Sequence, residues 1–144
     1  MTPSTSEFLT VRGLRHHART WGNADAPQLF LLHGWMDMSA SFQFMVDALQ
    51  RDWYVIAPDF RGFGLTEWAQ DGYWFPDYLA DLDVLLEHFS PHAPVHLGGH
   101  SMGGNVASFY AGVRPERVRS LINLEGFGLP RTDAEQAPQR FAEW

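Results

Sequence analysis

Gly99–His100–Ser101–Met102–Gly103 places a serine with a glycine two positions away on each side. That spacing suits a nucleophile at the tip of a strand-to-helix turn. The turn is sharp and its backbone strained, so small residues at −2 and +2 keep it from clashing with itself. Gly103 and Gly104 also let the following helix approach a sheet closely. The start of that helix would offer N–H groups and the positive end of its dipole to an oxyanion forming on a carbonyl. The chemistry such an arrangement serves is acyl transfer through an ester on Ser101. The competing reading is a glycine-rich turn that only packs a helix.

Other residue patterns point to chemistry less well. Gly62–Phe63–Gly64–Leu65–Thr66–Glu67 begins like a dinucleotide loop but ends in Glu67, and no helical pattern starts at once. Gly98–Gly99–His100 fails at the second glycine. His88, His92 and His96 are spaced i, i+4, i+8, yet Ser90–Pro91 and Pro94 interrupt any helix that would align them on a metal. They read as two solvent histidines at a helix end and one on a strand. No metal and no organic cofactor are implied.

The elements that must position Ser101 follow from apolar periodicity. Phe8 to Val11, Arg12–Gly13 and Leu14 to Trp21 read as a hairpin. Leu29 to Leu32 and Trp53 to Ala57 are continuous apolar runs of strand length, Pro94–Val95–His96–Leu97 reads as a third, short strand, and Val118 to Leu124 as a fourth. All four are expected to be buried strands. Helices are expected over about 40–50, from Pro76 to Phe89, and from Met102 to Val113. Alternation of strand and helix predicts an α/β fold, a mostly parallel twisted sheet with helices on both faces. Chemistry in such sheets gathers at the carboxyl ends of the strands, where His33–Gly34–Trp35, Asp59, Ser101 and Glu125 stand.

Three motifs in this order resemble the α/β-hydrolase fold superfamily: His33–Gly34–Trp35, Pro58–Asp59–Phe60–Arg61–Gly62–Phe63–Gly64, and Gly99 to Gly104. The resemblance runs from about Phe8 to Pro130. It implies that Ser101 is the nucleophile and that the backbone N–H groups of Trp35 and Met102 form the oxyanion hole. The side chains of Trp35, Met36, Met102 and Phe127 would then shape an apolar pocket for a small ester-like substrate. A departure is Leu65, with Thr66 next, where a small hydroxyl often follows the second glycine of the Asp59 loop. His100 is adjacent to the nucleophile on a sharp turn and points elsewhere, so it is expected to be a packed or hydrogen-bonded elbow residue rather than a base. His33 would support the oxyanion loop, and Asp59, braced by Arg61, would form a turn; Asp37 reads the same way.

In this superfamily the triad runs Ser, then Asp or Glu, then His. No histidine follows His100. The acid usually follows a later strand, and in a minority it stands where Glu125 is. The expectation is therefore a core over residues 1–130 truncated before the last two strands, the start of a cap region over 131–144, and little turnover by this chain alone. Phe141 and Trp144 stand at helical spacing with nothing left to cover, and an uncovered last strand would be an aggregation hazard. Aspartate-nucleophile dehalogenases and epoxide hydrolases are excluded by the serine at 101. Esterase, lipase-like, thioesterase, perhydrolase and C–C bond hydrolase chemistries stay open, as does a non-catalytic binding module on the same fold.

Composition narrows the partners. The net charge is −7 and all ten basic residues are arginine, which argues against a nucleic-acid footprint, a membrane surface, a Walker-type phosphate site and Schiff-base chemistry. There is no cysteine, hence no disulfide and no thiolate metal site. No apolar run is long enough for a signal peptide or a bilayer span, and a cytoplasmic location is the default expectation. Nothing in the sequence sets the oligomeric state.

Overall fold

Leu29 to Leu32 has no polar side chain to offer water on either face, and it lies near the middle of a six-stranded sheet. The computed structural model describes residues 1–128 and 133–142. Its strands are β1 (Ser4–Val11), β2 (Leu14–Trp21), β3 (Gln28–Leu32), β4 (Tyr54–Pro58), β5 (Val95–His100) and β6 (Val118–Leu124). Its helices are α1 (Gln43–Ala48), α2 (Phe75–Phe89), α3 (Met102–Val113) and α4 (Ala137–Ala142). Across the sheet the order is β1-β2-β4-β3-β5-β6. β4, β3, β5 and β6 run parallel, while the β1–β2 hairpin joins β4 antiparallel.

The hairpin turns on Arg12 (φ 47°) and Gly13 (φ 87°). Both central residues are left-handed, as a two-residue turn matching strand twist requires. Strand alternation divides the core. Phe30, Leu32, Ile56 and Leu97 pack with Tyr78, Leu82 and Leu86 of α2 and Val106, Ala107 and Tyr110 of α3. On the opposite face Trp21, Leu29, Leu31, Val55 and Ala57 meet Phe42 and Val46, at α1 and the short 3-10 turn before it. Helices thus cover both faces, as the parallel strands demand.

The exception is β6. The sequence predicts it as buried, yet every residue from Arg119 to Leu124 is exposed, including Leu121, Ile122 and Leu124. It sits at the edge of the sheet with β5 as its strand neighbour. Apolar content reports what a strand can bury; it carries no information on how many neighbours are present to bury it. Beyond β6, residues 134–136 form a 3-10 turn leading into α4. The expected apolar pair Phe141 and Trp144 lies outside the described side chains, and residues 129–132, across the expected start of the cap region at 131, lie outside the described residues. No helix among the described residues is long and apolar enough to cross a membrane.

Candidate active site

Ser101 stands between the end of β5 and the start of α3 with φ 50° and ψ −114°, a backbone conformation that L-residues rarely adopt. Its amide donates to Leu124 O at 2.8 Å, and its carbonyl accepts the first helical bond, from Asn105 N, at 3.0 Å. The flanking glycines are there because nothing larger fits. A Cβ on Gly99 would lie 2.2 Å from Gly103 O, and one on Gly103 would lie 2.2 Å from Leu32 O. Helix α3 is thereby pressed onto β3 and β5 with no side-chain cap at its N-terminus.

The loop after β3 abuts the turn. A Cβ on Gly34 would sit 3.4 Å from Ser101 Cβ and 3.1 Å from His100 Nδ1. His33 holds that loop from below and is fully buried. Its Nε2 accepts from Phe60 N at 2.9 Å, so the ring proton is on Nδ1, which donates to Gly34 O at 2.7 Å. Burial, only partly offset by that bond, holds its pKa below the ordinary value and keeps the ring neutral. Asp59 anchors the second loop. Its carboxylate accepts from Ser39 N at 2.6 Å, Leu65 N at 2.9 Å and His17 Nδ1 at 2.7 Å. Burial would raise its pKa, but the Leu65 and Ser39 bonds prevail and hold it below the ordinary range.

Three ordered strand-end motifs thus converge on one end of a mixed sheet in this strand order. Residues 27–144 match the alpha/beta hydrolase fold family. This chain belongs to the α/β-hydrolase family. A "Serine hydrolase-like protein" of Danio rerio is 38% identical over 136 residues, covering 92% of this chain and 41% of that protein. The "Soluble epoxide hydrolase" of Corynebacterium sp. (strain C12) is 32% identical over 124 residues, covering 86% of this chain and 42% of that protein. The solved "Thioesterase Domain From Curacin Biosynthetic Pathway" superposes with a TM-score of 0.85 at 26% identity, covering 97% of this chain and 50% of that one. The chain spans about half or less of the length of these relatives.

Within this hydrolase-fold chain the other expected residues fall as follows. Trp35 is half-exposed, its ring edge-on to Phe63 with centroids 5.3 Å apart. Met36 (φ 54°) and Phe127 are exposed, while Met102 packs partly against the main core cluster. Glu125 (φ 63°) closes β6 with its side chain in solvent. The loop it opens is pinned by Asn123 Oδ1, accepting from Gly126 N at 2.6 Å, and Asn105 Oδ1, accepting from Gly128 N at 2.6 Å. His100 is not the packed elbow residue expected. Its side chain is 47% exposed and its Nε2 lies 3.9 Å from Glu125 Oε2, beyond hydrogen-bonding reach. A strand's last residue alternates away from the core, and here it faces open solvent.

Arg61 does brace the Asp59 loop, through a partner the sequence reading missed. Its Nε and Nη2 donate to Asp81 of α2 at 2.6 and 2.7 Å, with Asp77 3.3 Å away. Asp81 is buried on the stripe of Tyr78, Leu82 and Leu85, and helical spacing from Leu82 and Leu85 was the available signal. The histidines at 88 and 96 have separate partners: His88 Nε2 is 2.8 Å from Glu7 Oε1, and His96 Nδ1 is 2.7 Å from Ser120 Oγ.

Proposed function

We propose that this chain carries the nucleophile and oxyanion site of a serine hydrolase acting on an ester or related carbonyl compound. The observation that carries the proposal is Ser101 itself, a non-glycine residue held at φ 50° on a turn that Gly99 and Gly103 alone make sterically possible. Backbone strain of this kind is retained where the side chain has work to do. Ser101 Oγ attacks the carbonyl carbon, and the N–H groups of Trp35 and Met102 receive the developing oxyanion. Met102 is the first residue of α3, where amides lack helical partners. Water then releases the acyl group. Trp35, Met36, Met102 and Phe127 form the apolar surroundings of the substrate.

Among the described residues no histidine is placed to serve Ser101 as a base. His33 and His17 are locked in buried hydrogen bonds, His100 faces Glu125, and no histidine follows. Glu125, just past the strand beside the elbow, is this chain's candidate for the triad acid. Loss of the base alone costs about a million-fold in the best-measured serine enzyme. Purified protein is therefore expected to hydrolyse p-nitrophenyl esters barely above background, with added free imidazole raising the rate more in wild type than in Ser101→Ala. Equal imidazole response in the two proteins would overturn the assignment of Ser101. Fast unaided turnover, lost in Ser101→Ala, would overturn the absence of a base.

A further inference from the structure

A second serine in this molecule has a histidine at its hydroxyl, which no described residue gives Ser101. In the β1–β2 ladder Ser6 pairs with Arg19 and Phe8 with His17, so Ser6, Phe8, His17 and Arg19 share one face of the hairpin. His17 is fully buried, and both of its ring nitrogens are engaged. Nδ1 lies 2.7 Å from Asp59 Oδ2, and Nε2 lies 2.9 Å from Ser6 Oγ. The Asp59 carboxylate already accepts two backbone N–H bonds and has only oxygens to present. Nδ1 carries the proton it donates to Asp59, and in the neutral ring Nε2 then keeps its lone pair and accepts from Ser6 Oγ. The chain Ser6–His17–Asp59 thus has the hydrogen-bond order and polarity of a nucleophile, its base and the carboxylate that orients the base.

Two further observations bear on reactivity. Ser6 is exposed on an edge strand, so a reagent can reach it. Directly across the ladder is Arg19, at the roughly 5 Å separation of facing Cβ atoms. Its Nη1 donates to Ser4 Oγ at 2.9 Å, and its Nε is buried with no hydrogen-bond partner. The guanidinium thus brings a positive charge to the same face of the hairpin as Ser6.

We propose that Ser6, His17 and Asp59 form a second nucleophilic site, at which Ser6 takes up an acyl group from an activated carboxylic ester. Ser6 Oγ bonds to the carbonyl carbon as the ester C–O bond breaks. The hydroxyl proton passes to His17 Nε2, the leaving phenolate or alkoxide departs with the bonding electron pair, and the proton follows it to solvent. Arg19 balances the charge on the carbonyl oxygen. This site is independent of Ser101: it has a base and an orienting carboxylate, whereas the elbow has a strained serine at a helix start.

The test is acetylation by p-nitrophenyl acetate followed by peptide mapping. The chain has no lysine, which removes the commonest competing acceptor. Cleavage at arginine separates the peptide carrying Ser4 and Ser6 from that carrying Ser101, so the two sites are scored apart. In folded protein, acetyl is expected on Ser6 in about hundredfold preference to Ser4, the effect of a positioned general base. Ser4 shares the face but has no histidine beside it. The preference is expected to persist in Ser101→Ala, to vanish in His17→Gln, and to vanish in urea-unfolded protein. The urea comparison stands even where His17→Gln does not fold. Ser6 unmodified in the folded protein, or modified no faster than Ser4, or modified equally in urea, overturns the proposal and leaves the three residues as a structural tie between hairpin and loop.

Discussion

Ser101 is where local strain and proposed chemistry meet, and the two can be separated by substitution. Glycine reaches φ 50°, ψ −114° without a Cβ penalty, so Ser101→Gly is expected to stabilise the fold by about 1 kcal/mol, raising Tm by about 4 °C. An unchanged or lowered Tm would mean that the turn is not strained by its side chain. This residue was readable in sequence because its neighbours are glycines for a steric reason the coordinates make explicit: Leu32 O and Gly103 O occupy the space a methyl group would need. The environment of His100 was not readable. Adjacency in sequence says which residue comes next to a nucleophile; whether that residue is covered depends on what else folds around it.

At the scale of elements, the loop after β4 is fastened to α2 by Arg61 and Asp81, whose side chains are 8% and 4% exposed. Removing one partner leaves the other charged and buried. Asp81→Ala is expected to cost about 3–5 kcal/mol, read as a lowered urea midpoint. A loss under about 1 kcal/mol would show that Arg61 re-pairs with Asp77, 3.3 Å away. The sequence made Arg61 recognisable as a brace, since it sits in a glycine-rich turn after a buried strand. Its partner was not recognisable, because several carboxylates lie within reach and tertiary packing alone selects one. The helices show the same division. α3 was predictable to the residue, whereas the segment before β4 splits into a 3-10 turn and a short helix.

Across the whole molecule, acid should act through buried histidines before it acts through carboxylates. Burial holds the pKa of both His16 and His33 below the ordinary 6.5, with Asp81 opposing the shift at His16 and the Gly34 bond opposing it at His33. The unfolded chain therefore takes up these protons first, so stability is fully present above about pH 6.5 and declines as pH falls below it. Asp59 works in the same direction at lower pH: its pKa is lowered too, from a carboxylate's ordinary value, and its contribution is lost as pH falls through that lower value. The urea midpoint is expected to be lower at about pH 5 than at about pH 7.5. A flat profile between them would mean that the rings are protonated in place. Alternation of strands and helices made the sheet foreseeable, down to its parallel centre. The exposure of β6 was not, since periodicity describes a strand and not its surroundings.

His33 has one more consequence. Its Nδ1 proton is held by Gly34 O, and the fully buried ring packs against Phe60 and Phe63, whose centroids lie 4.7 and 5.6 Å from its own. Imidazole protons normally trade with water too fast to observe, but this one can leave only when the loop at Gly34 lifts off the sheet. It should give a resolved downfield resonance in an NMR spectrum of the unlabelled protein, and its exchange rate would time the opening of the floor beneath Ser101. If no such signal is present at neutral pH, that floor opens faster than its buried hydrogen bonds imply.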